Sequence, residues 1–136
     1  MILVDSGFLL AFAHPRDALH RRAVGWAQRT SEPMLVTEYV LCETVNNLSK
    51  GADRPRAHRI VEMISGDPSY TLVHASSELF AAGLRLHRDR PDKEWSLTDC
   101  VSFHLMRERG ITRAMAYDIH FEQAGFEALL RRDPPV

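Results

Sequence analysis

Apolar residues fall along this chain in two spacings. MILV at 1–4, MLVT at 34–37 and YTLV at 70–73 are short, nearly unbroken runs. Between them lie longer stretches in which apolar positions recur every three or four residues. An unbroken run of about four is what a strand covered on both faces requires, because every side chain then enters a core. The three-to-four spacing belongs to helices with one buried stripe.

This pattern predicts a strand at 1–4 and a short helix over 7–13, stopped by His14-Pro15 because proline disfavours helix in the residue before it. A helix over 17–31 aligns Leu19, Ala23, Trp26 and Ala27. After the second strand, Thr37 caps a helix that groups Val40, Leu41, Val45 and Leu48. KGADRP ends it, and another helix covers 57–64. The third strand at 70–73 leads to a helix over 76–87 and a charged loop, RDRPDKEW, at 88–95. Ser96 opens the next helix, with Leu97, Val101 and Leu105 at helical spacing. RAMAY at 113–117 is the fourth strand and FEALL at 126–130 a short fifth. The RRDPPV end, about 131–136, is expected to be loose. Strands alternating with helices need crossovers, so the expected fold is a three-layer α/β/α domain over 1–136 with a mostly parallel sheet of 4–5 strands.

Composition adds limits. With 136 residues, 45% apolar and 26% charged, the chain has enough material for a sizeable core. A net charge of −1 argues against nucleic-acid binding by bulk positive charge, but leaves room for a local basic rim. No apolar run is long enough to span a bilayer, and the start lacks the basic region and cleavage site of a signal peptide. Cys42 and Cys100, the only cysteines, make neither a disulfide framework nor a zinc site, so the expected home is the cytoplasm, with both thiols buried on helices. The seven histidines show no ligand spacing for zinc.

The candidate chemistry lies in the acids. In a parallel sheet, ligands bind beyond the carboxyl ends of the strands. Asp5 closes the first strand and Asp118 the fourth. Glu43 lies inside a helix on the flank of its apolar group, and Asp99 sits three residues after Ser96, where a capping box accounts for it without chemistry. Taken singly, each acid has a structural explanation. Together, two strand ends and two helices can bring four carboxylates to one crevice, where repulsion in low dielectric amounts to several kcal/mol. Such a cluster takes up protons or binds cations, and an all-oxygen set favours Mg²⁺ or Mn²⁺ over zinc. Those ions suit phosphodiester cleavage.

With these residues the chain resembles the PIN-domain nucleases, and more narrowly the VapC-like toxins of toxin–antitoxin pairs. The resemblance rests on VDSGFLLAF, LCETVNNL, WSLTDCVSFHLM and AYDIHFEQAGF, and covers nearly the whole chain. It implies a Mg²⁺- or Mn²⁺-dependent endoribonuclease, with Asp5, Glu43 and Asp99 as principal metal ligands and Asp118 completing the site. Ser6 would bond the site or the substrate phosphate, and Thr98 would support it. It further implies a homodimer and a small protein antitoxin. Ile119 and Gly7 depart from the residue types usual after the last acid and after the D-S pair.

Other readings remain. The same fold without turnover would be a module that binds RNA or protein. Phosphotransfer at Asp5 would want a second aspartate two residues on, where Gly7 stands. Ser6 has no paired base and no nucleophile elbow. The acids read phosphate rather than sugar, so they do not separate RNA from DNA. For a basic rim the candidates are Arg88, Arg90 and Lys93 in the charged loop, or Arg16, Arg21 and Arg22. Trp26 and Trp95 are expected to pack. His120, two residues after Asp118, is the histidine best placed to touch substrate, with packing or capping at the start of a short helix the favoured reading.

Overall fold

The computed structural model describes residues 1–136. Its strands are β1 (Ile2–Val4), β2 (Met34–Thr37), β3 (Tyr70–Val73), β4 (Arg113–Met115) and β5 (Glu127–Ala128). Its helices are α1 (Ser6–Ala13), α2 (His20–Arg29), α3 (Glu38–Asn47), α4 (Asp53–Gly66), α5 (Ser77–Asp89), α6 (Leu97–Arg109) and α7 (Ile119–Gln123). All strands are parallel, in the order β3-β2-β1-β4-β5. The chain therefore winds outward from β1 in one direction, returns, and winds out in the other. The reversal lies between β1 and β4, where Val4 stands opposite Met115. A crevice opens there because the helices that follow these two strands diverge to opposite faces.

The strand runs look uniformly apolar because both faces are covered. Ile2, Val4, Met34, Val36 and Met115 join one core with α1 to α4; Leu3, Leu35, Ala114 and Ala116 join the other with α6 and α7. Period-two alternation is present but divides one core from another rather than core from water. This gives the three-layer α/β/α arrangement. In the second core Phe103 meets Trp95, Phe121 and Phe126 at ring distances of 5.0, 4.9 and 5.7 Å. That cluster ties the start of α6 to α7, the two elements that carry Asp99 and follow Asp118. Trp26 and Trp95 are buried as expected.

Several boundaries differ from the sequence expectation. The expected 17–31 helix starts at His20, because the Asp17 carboxylate accepts the Leu19 N–H at 2.8 Å and holds a turn. The expected 57–64 helix begins at Asp53. Pro55 falls in its first turn, where no intrahelical donor is lost. The fourth strand ends at Met115 rather than at 117. The fifth spans only Glu127–Ala128 before a 3-10 turn, Leu129–Arg131. Cys42 is exposed, whereas Cys100 is buried, which pushes its thiol up to about 11.

The end of the chain, expected to be loose, makes contacts as far as Pro134. Trp26 donates its indole N–H to the Arg132 carbonyl at 3.0 Å, and Arg22 pairs with Asp133 at 3.1 Å. Pro134 packs over Gly25, 2.8 Å from where a Cβ would stand.

At Gly83, α5 lies tightly against α6. A Cβ there would lie 2.5 Å from Val101 Cγ2 and 3.3 Å from its backbone nitrogen. Gly83→Ala is expected to destabilise by about 1–3 kcal/mol through overpacking, despite its better helix propensity. Urea titration of the two proteins measures this, and an equal or higher midpoint for the alanine variant would refute it.

Candidate active site

Asp5, Glu43, Asp99 and Asp118 line one open cleft of about 790 Å³ at the β1/β4 reversal. Each is placed by its own element. Asp5 directly follows β1, and its N–H donates to the Met115 carbonyl at 3.1 Å, which pins it to the end of β4. It occupies the cap position of α1, yet its side chain makes no capping bond. Glu43 reaches the cleft from the middle of α3, half-buried rather than solvated. The Ser6 hydroxyl donates to Glu43 Oε1 in a short hydrogen bond.

Asp99 has two structural tasks at once. The Ser96 Oγ accepts the Asp99 N–H at 3.0 Å, and Asp99 Oδ2 accepts the Ser96 N–H at 3.1 Å, a complete capping box. The same Oδ2 lies 3.2 Å from His120 Nδ1. The cap therefore holds the carboxylate at the cleft wall and leaves Oδ1 outside these bonds. Asp118 caps α7 in the same manner: its Oδ1 accepts the His120 N–H at 3.0 Å and lies 3.2 Å from His120 Nδ1. His120 thus bridges Asp99 and Asp118 through one ring nitrogen. Each of Glu43, Asp99 and Asp118 is oriented through a single oxygen.

Asp5 is the exception. Its side chain is buried, and Oδ1 has no hydrogen-bond partner. Burial raises its pKa to about 7, reinforced by repulsion from Asp99, Glu43 and Asp118 and opposed by a bond from the Ser6 backbone. Burial also raises Asp99, against the Ser96 and His120 hydrogen bonds. A buried carboxylate with an orphaned oxygen, facing three others, is a site that lacks a positive charge. No group of three His, Cys, Asp or Glu side chains is arranged to hold an ion as the chain stands. The donor chemistry nevertheless suits a hard cation that keeps most of its water, which needs only one or two direct carboxylates.

The other sequence candidates are placed as follows. Ser6 lies in the cleft, and Ile119, 44% exposed, stands at its edge. Thr98 does not line this cleft; it borders a smaller depression behind Glu43 with Tyr39 and Asn46. The charged loop spends its cations on itself. Arg90 holds Asp92 at 2.9 and 3.0 Å and stacks 5.0 Å over Trp95, and Arg88 pairs with Asp89 at 3.2 Å. The closeness of His120 to Asp118 in sequence singles it out, but its role is neither simple packing nor capping: it bridges two of the acids. Asp17 and Arg131, which no motif marks, also line the cleft, as does Tyr117, which directly precedes Asp118 in AYDIHFEQAGF.

This geometry can be compared with known proteins. The PIN-domain family model matches residues 2–127. The chain belongs to the PIN-domain family. It is 31% identical over 131 residues to the "23S rRNA-specific endonuclease VapC20" of Mycobacterium tuberculosis, in both the CDC 1551 / Oshkosh and H37Rv strains, covering 93% of this chain and 95% of that protein. The crystal structure of M. tuberculosis VapC20, described as a Sarcin-Ricin loop cleaving toxin, superposes with a TM-score of 0.85. That likeness has 26% identity and covers 93% of this chain and 96% of the other.

The raised Asp5 pKa has a stability consequence for the metal-free protein. Between the ordinary carboxylate range, 3.8, and about 7, the folded state holds a proton that the unfolded chain has released. Stability from this group is therefore full below about pH 4 and is lost as pH rises through 7, an effect on the order of 4 kcal/mol. Asp5→Asn in EDTA is expected to remove that decline and to melt above the parent at pH 8. Parallel pH profiles of melting temperature for both proteins would contradict this.

Proposed function

We propose that this PIN-domain protein is a Mg²⁺- or Mn²⁺-dependent endoribonuclease, the toxin of a VapC-like toxin–antitoxin pair. The observation that carries the reading is the buried Asp5 carboxylate, with one oxygen unpartnered, facing Glu43, Asp99 and Asp118 in one cleft. The kinship with a ribosomal-RNA endonuclease of nearly equal span supplies the substrate class.

In this reading Asp5, Glu43 and Asp99 hold the ion, directly or through water, and Asp118 completes the site. When bound, the ion polarises a phosphate, lowers the pKa of an attacking water and neutralises the leaving oxygen. The chain's own contribution is position. Ser6 fixes Glu43 from below, the capping box fixes Asp99, and His120 keeps Asp99 and Asp118 at a set separation. Because these supports sit on backbone elements rather than on long side chains, little ordering entropy remains to be lost when substrate arrives. A homodimer, a small protein antitoxin and a cytoplasmic location belong to the same proposal. Phe80 and Leu84, exposed one turn apart on α5, offer apolar surface for a protein contact. No helix is long and apolar enough to cross a membrane.

Asp99→Asn is expected to lower RNA cleavage by more than about 100-fold, since even residues that merely support a metal ligand cost 10–100-fold. Cleavage of total cellular RNA with fragment-end mapping measures this, with 23S rRNA the first place to look. Normal cutting by the variant would sink the reading. RNA bound but left uncut by the parent with either ion would favour a catalytically silent module.

Metal should also stabilise the fold. At about 100 times the dissociation constant, Mn²⁺ is expected to add about 2.7 kcal/mol, a melting rise on the order of 10 °C. EDTA should reverse it, and Asp99→Asn should diminish it. An unchanged melting curve at saturating ion counts against a metal centre.

A further inference from the structure

The acidic cleft does not end at its acids. Through Leu10 and Asp17 it continues into a depression of about 360 Å³ bordered by Arg16. Through Leu19 and Tyr117 it continues on the other side into a cleft of about 700 Å³ bordered by Arg21 and Arg29. The three hollows form one track along the edge made by α1, the turn after it and α2, with the carboxylates in the middle.

Three of the five arginines on this track are free. Arg16, Arg21 and Arg29 are exposed and pair with no carboxylate. Arg22 and Arg131, also on the track, are committed to Asp133 and Glu122. The acids flanking the track are themselves engaged: Asp17 by the Leu19 N–H, Asp53 by Arg56 at 3.0 Å and Asp133 by Arg22. Arg21, Gly25 and Arg29 recur every four residues, so both guanidinium groups share one face of α2, with Cα atoms about 12 Å apart along its axis. At the junction with the acids stands Tyr117, 43% exposed, with the Arg131 guanidinium 4.8 Å from its ring centre. An electropositive groove with an aromatic ring beside it is what single-stranded nucleic acid uses, phosphates on the cations and a base on the ring. Unpaired arginines occur elsewhere on the surface too, as at the end of α6, but in a chain of net charge −1 these three stand on the two flanks of a carboxylate cleft and set the local potential there.

We propose that single-stranded RNA lies along this edge, its phosphates held by Arg16 on one side of the cut and by Arg21 and Arg29 on the other. Tyr117 stacks a base where the strand enters the acidic centre. The proposal rests on the nuclease reading for the direction of the strand across the acids. The arginines are positioning residues: they offset the repulsion that four carboxylates exert on an approaching phosphate backbone.

The test is binding of a fluorescent single-stranded RNA oligonucleotide to the Asp99→Asn protein across a salt series, with Arg21→Gln/Arg29→Gln added. Removing two phosphate contacts is expected to reduce the slope of log affinity against log salt by about 1.4, and affinity on the order of tenfold at about 0.1 M salt. Arg16→Gln should reduce the slope by about half as much. Arg107→Gln/Arg109→Gln, which removes equal charge from the exposed end of α6, should leave slope and affinity nearly unchanged. Tyr117→Ala should weaken binding with no change in slope. These arginines and Tyr117 are all exposed, and melting temperature checks folding. An unaltered slope in the Arg21/Arg29 variant, or an equal loss in the α6 control, would overturn the proposal. The first outcome would leave the basic flank to an acidic protein segment. Cleavage by the parent chain is followed separately: RNA held on the track but never cut removes the nuclease reading and keeps the track.

Discussion

Repulsion among carboxylates is the constraint on which this site depends. Asp5, Glu43, Asp99 and Asp118 share one cleft, and Asp5 is buried deeply enough for its pKa to rise to about 7. Left to themselves, such groups would turn away into water, since each is carried by a side chain with rotamers to spare. They are held because Glu43, Asp99 and Asp118 are hydrogen-bonded through one oxygen: to Ser6, to the Ser96 backbone and to His120. The stability given up by gathering the acids is recovered by whatever positive charge the cleft receives, whether a proton or a cation.

The sheet order makes this gathering feasible. With β1 in the centre and the winding reversed between β1 and β4, two adjacent strands send their following helices to opposite faces. The ends of those strands are thereby left uncovered, and Asp5 and Asp118 emerge side by side. α3 and α6 then close the cleft from the two helical layers. The aromatic cluster around Phe103 fixes α6 against α7, so the His120 bridge rests on a packed core and not on loop geometry. The acids and the α2 arginines are linked by the same chain segment: the turn after α1 is shaped by Asp17, which lines the acidic cleft while its carboxylate starts α2.

The dual role of Asp99 shows why one residue could not be read alone. As a helix cap it satisfies Ser96, and the sequence motif S-L-T-D is explained completely by that task. Its second task needs a neighbour 21 positions away, His120, and a cleft formed by two further elements. Neither explanation displaces the other, because the cap uses Oδ2 and thereby sets the direction of the rest of the group. Thr98, equally conspicuous in the same motif, points to a different hollow. Position within a helical turn separated the two, and only the packing of α3 against α6 gave that separation meaning.

By itself the sequence determined the parallel three-layer fold, because apolar periodicity, helix caps and the polar ends of strands are local properties; the four acids stood out only as a set, through the resemblance of the stretches that carry them. It also determined that Trp26 and Trp95 would be buried. Tertiary structure decided the rest. It ended β4 at Met115 and shortened the fifth strand, since strand length depends on a pairing partner. It tied Arg132 and Asp133 to α2, and it left Arg16, Arg21 and Arg29 unpaired while pairing the charged loop internally. Ion pairing is a matter of distance between segments remote in sequence, so a count of charges could not reveal which arginines were free. The raised pKa of Asp5 has the same origin: burial and three neighbouring charges arrive from elsewhere in the fold, and nothing in V-D-S specifies them.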